Sequence, residues 1–266
     1  MTKSTETFQL STTAAELYES KFVPALFAEW APHLVEIAGV GPGQAVLDVA
    51  CGTGIVARTA ADRLAGAGRV VGVDLNQAML TVARRVRPDI EWRQGDGGAL
   101  PFPDASFDRV LCQMALMFFP DRTAALREMR RVARPGATVA VVVPGRLDAQ
   151  PAYRPFVEMA ARHAGPDAAT LLGAYFACGD LAELRALVES AGLPVDATRT
   201  RLGHARFDSV DAFVAAEVES TPLITRIGAD VYDRIREGAR DVLRPFTAPD
   251  GRVAVPLEGH LVAARR

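Results

Sequence analysis

The chain has few of the residues that build disulfide frameworks or metal centres. It contains three cysteines and four histidines among 266 residues. The cysteines, Cys51, Cys112 and Cys178, are odd in number and form no close pair. This spacing argues against a disulfide framework and against a zinc site. We therefore expect no bound metal.

An excess of one charge is also missing. Lys and Arg number 30 against 32 Asp and Glu, which gives a formal net charge of −2. No basic field or interleaved aromatic surface indicates a nucleic-acid partner. No apolar run reaches the roughly 20 residues that span a membrane, and the N-terminal stretch lacks the apolar core of a secretory signal. We expect a cytoplasmic protein without a membrane partner.

Short apolar stretches alternate with amphipathic ones between residues 46 and 143. The predicted strands are Val46–Ala50, Val70–Val73, Ile90–Arg93, Phe107–Met114 and Ala137–Val143. The predicted helices between them are Ile55–Leu64, Gln77–Arg85 and Arg122–Arg134. This alternation predicts an α/β fold whose parallel sheet is covered on both faces.

Helical segments flank this core and divide the chain. A loose arm over Met1–Thr13 precedes a helix over Ala14–Ile37 that we expect to break at Pro24. Asp180 and Glu183 mark the start of another helix, and Pro194–Phe207 is the predicted sixth strand. We predict an arm with cap helices over 1–40, the core over 41–145 and a cap insertion over 146–179. A core helix and strand follow over 180–207, further cap helices over 208–250 and a final strand over 251–266.

The most informative motif runs from Val46 to Gly54. Its apolar residues suit a buried strand, and Gly52 and Gly54 then let the backbone turn against a ligand. The following helix begins near Ile55, and its free N–H groups favour a carboxylate. Asp48 adds an acidic group just before the glycines.

Polar groups follow the next three strands in the order that a nucleoside requires. Asp74 lies about 20 residues beyond the glycines, where a carboxylate accepts from two ribose hydroxyls. Met79 follows and suits the face of a purine. Asp96 and Gly97 offer an acceptor and a donor to adenine, and Gln113 ends the fourth strand, where the reacting atoms would meet.

These residues resemble the class I S-adenosylmethionine methyltransferases, in the branch that includes ubiquinone and menaquinone biosynthesis enzymes and natural-product tailoring enzymes. The resemblance spans about Tyr18 to Gly145 and weakens beyond it. It is carried by Val46–Gly54, Gly72–Leu80, Gly95–Val110 and Glu128–Val143. It implies a Rossmann-like, doubly wound sheet of seven strands with the last antiparallel. It also implies that Gly52, Asp74 and Asp96 contact the cofactor, with S-adenosylhomocysteine as product.

The candidate cofactor-binding set combines the strand-end residues with a tyrosine from the N-terminal helix, which we expect to approach the cofactor carboxylate. Its members are Tyr18, Asp48, Ala50, Gly52, Thr53, Gly54, Asp74, Leu75, Met79, Asp96, Gly97 and Gln113. The Asn/Asp-Pro-Pro-Tyr/Phe motif of enzymes that methylate nucleobases is missing after the fourth strand. The apolar blocks Met114–Phe119 and Phe213–Ile227 suit a lid over a small apolar molecule methylated at oxygen or carbon.

No side chain is assigned a catalytic role. His260 is expected to be a satisfied core residue, and Asp211, Glu217 and Glu219 are expected to line a lid or face solvent. Three alternatives stay open: a cyclase-like enzyme that binds S-adenosylmethionine without transferring methyl, a nicotinamide-dependent oxidoreductase, and a module that only senses S-adenosylmethionine. A homodimer is compatible with the sequence.

Overall fold

The computed structural model describes residues 11–266, so most of the predicted N-terminal arm lies outside the described residues. A seven-stranded sheet organises the chain, with strand order β3-β2-β1-β4-β5-β7-β6. The first five strands run parallel, and β7 is antiparallel to both of its neighbours. The predicted seven-stranded sheet with an antiparallel last strand is therefore confirmed. The strands are β1 Gln44–Val49, β2 Gly68–Asp74, β3 Glu91–Gln94, β4 Phe107–Gln113, β5 Ala133–Pro144, β6 Val195–Phe207 and β7 Val253–Arg265.

Ten α-helices surround the sheet in the described part of the chain. They are α1 Thr12–Leu17, α2 Ala31–Ile37, α3 Ile55–Leu64, α4 Gln77–Val86, α5 Arg122–Val132, α6 Tyr153–Ala164, α7 Pro166–Gly173, α8 Leu181–Ser190, α9 Val210–Val214 and α10 Ala229–Leu243. Two π-helical segments, Tyr18–Phe27 and Ala215–Glu219, extend α1 and α9.

The end of α5 differs from the sequence prediction. We predicted a helix to Arg134 and a strand from Ala137, but α5 ends at Val132 and β5 begins at Ala133. Ala133 pairs with Phe107 of β4 in the parallel ladder. Pairing with a distant strand therefore overrides the local helical pattern.

The predicted N-terminal helix is three segments. Pro24 lies inside the π-helix Tyr18–Phe27 and does not break it. The Ala28 N–H donates to the Val23 carbonyl, five residues back, at 2.8 Å. In an α-helix a proline removes a backbone donor and crowds the carbonyl four residues earlier. The wider π-helical turn avoids that arrangement, and the interruption falls at residues 28–30 instead.

Buried side chains cover both faces of the sheet. On one face α5 and α8 pack through residues such as Met129 and Val188. On the other face α2, α3 and the cap helices share one large cluster that includes Phe156 and Phe213. Trp30 is buried there at the start of α2, where its ring leaves no room for a Cβ on Gly203 or Gly259. The N-terminal cap thus packs directly on strands β6 and β7.

Asp180 caps α8, as the sequence predicted. Its carboxylate accepts from the N–H groups of Ala182 and Glu183 at 2.9 and 3.0 Å. We expect Asp180→Ala to lower the free energy of unfolding by about 1 kcal/mol, because two helix N–H groups lose their partner. Urea unfolding monitored by circular dichroism measures this, with Glu183→Gln as the matched control. An unchanged midpoint for Asp180→Ala would contradict the capping role.

Candidate functional site

The glycine loop joins β1 to α3 and needs its glycines for two reasons. Gly52 and Gly54 have φ angles of +55° and +91°, a region that disfavours other residues. A Cβ on Gly54 would also lie 2.1 Å from the Trp92 ring. The helix α3 starts directly after Gly54 without a side-chain cap. Its first turn therefore presents backbone N–H groups to an anion.

Asp48 lies beneath this loop. Its side chain is 1% exposed, and its Oδ2 accepts from the Ala57 N–H at 2.9 Å. Burial, reinforced by the charge of Asp74, raises the pKa of Asp48 to about 8. The carboxyl group therefore anchors the first turn of α3 from below. Its direct contact with a cofactor stays a prediction.

Asp74 ends β2 and reaches the glycine loop. Its Oδ2 accepts from the Gly52 N–H and its Oδ1 from the Asn76 N–H, both at 2.8 Å. The side chain remains partly exposed, while burial raises its pKa. Because a carboxylate has about four acceptor positions, Asp74 can still accept from two hydroxyls. Asp74, the side chain predicted to bind the ribose, thus lies at the predicted edge of the sheet and is hydrogen-bonded to the glycine loop. Its contact with a ribose stays a prediction.

The third strand, β3, ends at the same edge of the sheet. Leu75 is 48% exposed there. Gly97 is buried so closely that a Cβ would lie 2.4 Å from the Phe119 ring. Asp96 is exposed, and its Oδ1 accepts from the Gly98 N–H at 2.8 Å. An acceptor, a backbone donor and apolar surface therefore meet, as recognition of adenine requires.

Two buried polar atoms at the strand ends have no hydrogen-bond partner among residues 11–266. One is Thr53 Oγ1 in the glycine loop, and the other is Gln113 Oε1 at the end of β4. Gln113 donates through Nε2 to the Phe27 carbonyl at 3.0 Å, which ties β4 to the N-terminal cap. Ala50 and Met114 follow β1 and β4 with φ angles of +54° and +49°. Unpaired polar atoms and left-handed backbone at these ends fit a polar ligand.

Tyr18 covers the glycine loop from the cap. Its hydroxyl lies 3.5 Å from the position a Cβ would take on Gly52, and its ring stacks on Phe27 with centroids 5.1 Å apart. Burial raises the pKa of Tyr18, and the charge of Asp74 adds to this. Met79 is buried with Ala15, and Tyr18 packs against this pair. The contact of Met79 with a purine stays a prediction.

The buried carboxyl groups suit a cationic ligand. Burial raises the pKa of both Asp48 and Asp74, which means that the surroundings disfavour their negative charges. A positively charged ligand at the loop would offset that cost. S-adenosylmethionine carries a sulfonium and an ammonium group beside a carboxylate, a ribose and an adenine. Asp74 therefore fits the ribose, Asp96 with Gly97 the adenine, and the first turn of α3 the carboxylate, and their contacts with the cofactor stay predictions.

The histidines take no part in this edge. His260 lies in β7, where Nδ1 contacts Thr200 Oγ1 at 2.9 Å and Nε2 contacts the Gly179 carbonyl at 3.1 Å. The expectation of a satisfied core histidine is confirmed. Among residues 11–266, no group of three or more His, Cys, Asp and Glu side chains is arranged to hold a metal ion. No helix in the same range has the length and apolarity needed to cross a bilayer.

Two tyrosines under the cap, Tyr153 and Tyr175, were missed by sequence reasoning. Tyr153 of α6 packs on Phe213 with ring centroids 5.6 Å apart, and the Tyr175 hydroxyl lies 3.1 Å from the Met114 sulfur beyond the end of β4. Burial raises the pKa of both tyrosines, and the charge of Glu217 adds to this. Glu217 was expected to line a lid or face solvent together with Asp211 and Glu219. The sequence signal for an enclosed Glu217 was its place between two apolar residues, Ala216 and Val218, both of which are buried.

Known proteins share this core. The methyltransferase domain family matches residues 47–141. Demethylmenaquinone methyltransferase of Renibacterium salmoninarum is 44% identical over 113 residues, 42% of this chain and 46% of that protein. A 2-phytyl-1,4-naphtoquinone methyltransferase of Synechococcus elongatus is 37% identical over 134 residues, 48% and 55% of the two chains. The chain spans about half the length of these curated relatives.

Similarity of fold extends further than similarity of sequence. The crystal structure of the YcgJ protein from Bacillus subtilis aligns over 90% of this chain and 98% of its own, with a TM-score of 0.61 and 20% identity. Together, the sheet and the glycine loop define a Rossmann-like, doubly wound fold. Residues 47–141 thus match the methyltransferase domain family, and both curated relatives are methyltransferases by name.

Tyr18 offers a direct test of the cap at this site. We expect Tyr18→Phe to weaken binding of S-adenosylhomocysteine by about fivefold to tenfold, because one hydrogen bond from the hydroxyl is lost while the ring packing stays. Isothermal titration calorimetry measures this. Tyr232→Phe, at a tyrosine whose hydroxyl donates to Glu219 at 2.7 Å, is the matched control. Equal affinities for Tyr18→Phe and the unmodified chain would contradict the contact.

Proposed function

We propose that this chain transfers a methyl group from S-adenosylmethionine to an oxygen or carbon of a small, largely apolar acceptor. The observation that carries the proposal is the hydrogen bond that the Asp74 carboxylate accepts from the Gly52 N–H at 2.8 Å. It connects the side chain predicted to bind the ribose with the glycine loop. The methyltransferase-domain match over the same residues supports it. The quinone substrates named for two relatives support an apolar, aromatic acceptor.

The residues of this chain divide the work of such a transfer. Asp74 would hold the ribose, Asp96 and Gly97 the adenine, and the first turn of α3 the methionine carboxylate. The bound cofactor supplies a methyl group that is already activated by the sulfonium charge. The protein then contributes mainly alignment for in-line displacement and exclusion of water by the cap.

An apolar cavity beside the cap supports an apolar acceptor. Its volume is about 470 Å³, and it lies between the N-terminal helices and α9. Tyr18, Phe22, Phe207 and Ala212 are among the residues that line it. Tyr18 thus faces both this cavity and the glycine loop, so a molecule entering here would approach the cofactor edge. A bicyclic aromatic molecule matches a cavity of this size.

A turnover assay tests the proposal. The chain is incubated with methyl-labelled S-adenosylmethionine and a panel of naphthols, reduced naphthoquinones and phenols. We expect labelled product and S-adenosylhomocysteine in equal amounts. Product without S-adenosylhomocysteine would favour a cyclase-like enzyme, and binding without turnover of any acceptor would favour a sensor. Tighter binding of NADH than of S-adenosylmethionine would favour an oxidoreductase.

A further inference from the structure

We propose that the acceptor is an aromatic molecule with an anionic substituent, such as a carboxylate, which Lys21 and Arg206 bind in the cavity beside the cap. The inference rests on the methyl-transfer function proposed above and names the chemical class of acceptor that the function leaves open. It is carried by the apolar walls of the cavity, the two cationic side chains that line it, and the hydrogen-bond donors that these side chains keep available.

The walls of the cavity are apolar and come from two elements of the cap. Phe22 and Ala25 of the first π-helical segment line the cavity, as do Ala212 of α9 and Ala216 of the second π-helical segment. An apolar pocket alone discriminates poorly between similar apolar molecules, so selectivity depends on its charged lining. Four exposed, charged residues form the rim of the cavity: Lys21, Arg206, Asp208 and Glu219.

The two cations of the rim come from different elements. Lys21 belongs to the π-helical segment that starts at Tyr18, and Arg206 belongs to β6. The Lys21 side chain is 68% exposed, so it lies where the cavity opens to solvent. Lys21 is the only lysine among residues 11–266. A lysine ammonium is a compact charge on a flexible stem, which lets it reach an anion at several positions.

Both cations keep donors beyond those that the described chain uses. The Lys21 Nζ lies 4.0 Å from Asp208 Oδ2, which is longer than a hydrogen bond. Arg206 donates through Nη1 to Glu29 and to the His204 carbonyl. A guanidinium has five N–H groups, and no contact within residues 11–266 uses those on Nε and Nη2. An anion at the rim can therefore be bound without breaking a short native contact.

The acidic side chains of the rim are less suited to a ligand. Glu219 accepts from the Tyr232 hydroxyl at 2.7 Å, so part of its acceptor capacity is already used. The Asp208 side chain is 85% exposed, more than that of Lys21, and an exposed carboxylate remains well hydrated. The donors at the rim thus exceed the acceptors that compete for them. This balance favours an anionic ligand over a cationic one.

An anion at the rim leaves the rest of the acceptor close to the cofactor edge. Tyr18 lies three residues before Lys21 in the same π-helical segment and lines the same cavity. Its hydroxyl lies 3.5 Å from the position a Cβ would take on Gly52. An aromatic acceptor held at the rim would extend toward Tyr18 and the glycine loop. Binding at a group remote from the reacting atom then contributes to orientation for in-line displacement.

Calorimetric titration of the S-adenosylhomocysteine complex of the full chain with two matched ligands tests the proposal. 2-Naphthoate is an anion at neutral pH because carboxyl groups ionise at about pH 4, and 2-naphthamide is a neutral molecule of nearly the same shape. We expect 2-naphthoate to bind about fivefold to tenfold more tightly at low salt. Because salt screens exposed charges, we expect this preference to fall to about twofold in about 1 M NaCl.

Substitutions at the rim separate a charge effect from packing. We expect Lys21→Met to lose most of the preference for 2-naphthoate and to keep its affinity for 2-naphthamide, because the stem remains and the charge is removed. Lys21→Arg is expected to retain the preference, and Asp208→Asn to increase it, because a competing carboxylate is lost. Arg201→Met is the matched control: Arg201 is exposed on β6 and does not line the cavity. We expect it to behave like the unmodified chain.

Chemical labelling locates the bound anion independently of affinity. The chain contains only two lysines, Lys3 and Lys21, so reductive methylation of Lys21 can be followed by peptide mass spectrometry. In the S-adenosylhomocysteine complex we expect saturating 2-naphthoate to slow the methylation of Lys21 severalfold, because the bound carboxylate covers the ammonium group. An unchanged rate at saturation would overturn the proposal.

The affinities offer three further ways to contradict it. Equal or tighter binding of 2-naphthamide, an unchanged preference in Lys21→Met, or failure of 2-naphthoate to bind the S-adenosylhomocysteine complex would each overturn the anionic acceptor and leave the methyl-transfer function standing. Failure of S-adenosylhomocysteine itself to bind would overturn the methyl-transfer function as well, so the two failures are distinguishable.

Discussion

Asp74→Asn is expected to weaken binding of S-adenosylhomocysteine by about 100-fold, or about 3 kcal/mol. The carboxylate accepts from Gly52 and Asn76 and would also accept from two ribose hydroxyls. An amide keeps one acceptor oxygen and adds a donor group, which faces other donors at this position. Calorimetric titration of both forms measures the loss.

A matched control and a folding test make that result interpretable. Asp196→Asn changes an exposed aspartate on β6 that pairs with Arg265 at 2.9 Å, far from the glycine loop. We expect its affinity for S-adenosylhomocysteine to equal that of the unmodified chain, and both variants to retain the native circular dichroism spectrum. Affinity of Asp74→Asn within threefold of the unmodified chain would place the ribose elsewhere.

Asp48→Asn is expected to stabilise the free protein above neutral pH by a few kcal/mol. The pKa of Asp48 is raised to about 8 in the folded chain, above its unfolded value near 4. The folded state therefore holds the proton more tightly, and the stability from this group falls progressively between about pH 4 and about pH 8. Asparagine does not ionise, and its side-chain oxygen can still accept from Ala57.

Thermal unfolding between about pH 4 and pH 9 shows the difference. We expect the melting temperatures of Asp48→Asn and the unmodified chain to agree near pH 4 and to diverge progressively above it, with the variant higher. Asp196→Asn serves again as control, because an exposed pair contributes little. Parallel curves for Asp48→Asn and the unmodified chain at all pH values would show that the carboxyl group is not buried in this way.

The sequence was most informative where local pattern and function coincide. Short-range rules set the strand containing Asp48, the positive-φ positions Gly52 and Gly54, and the aspartate that ends β2. These rules are apolar runs, glycine turns and fixed spacing. The parallel sheet then brings strand ends together at one edge. Topology alone therefore assembles most of the predicted cofactor-binding residues.

Features that depend on distant partners could not be read in this way. The π-helix around Pro24 depends on how the cap meets the sheet, and the start of β5 at Ala133 depends on pairing with β4. Tyr153 packs on Phe213, which lies 60 residues further along the chain, with ring centroids 5.6 Å apart. Amphipathic spacing shows which face of a helix is buried, but it does not identify the side chains on the other side of that face.

The positions of the two tryptophans give this protein separate optical reporters. Trp92 lies against Gly54 and Gly72 under the cofactor loop, while Trp30 lies between the cap and strands β6 and β7. The chain contains no other tryptophan. Emission from Trp30→Phe would therefore follow events at the loop, and emission from Trp92→Phe would follow events at the cap. Rapid-mixing fluorescence can thus time nucleoside capture and cap movement independently, without an attached dye.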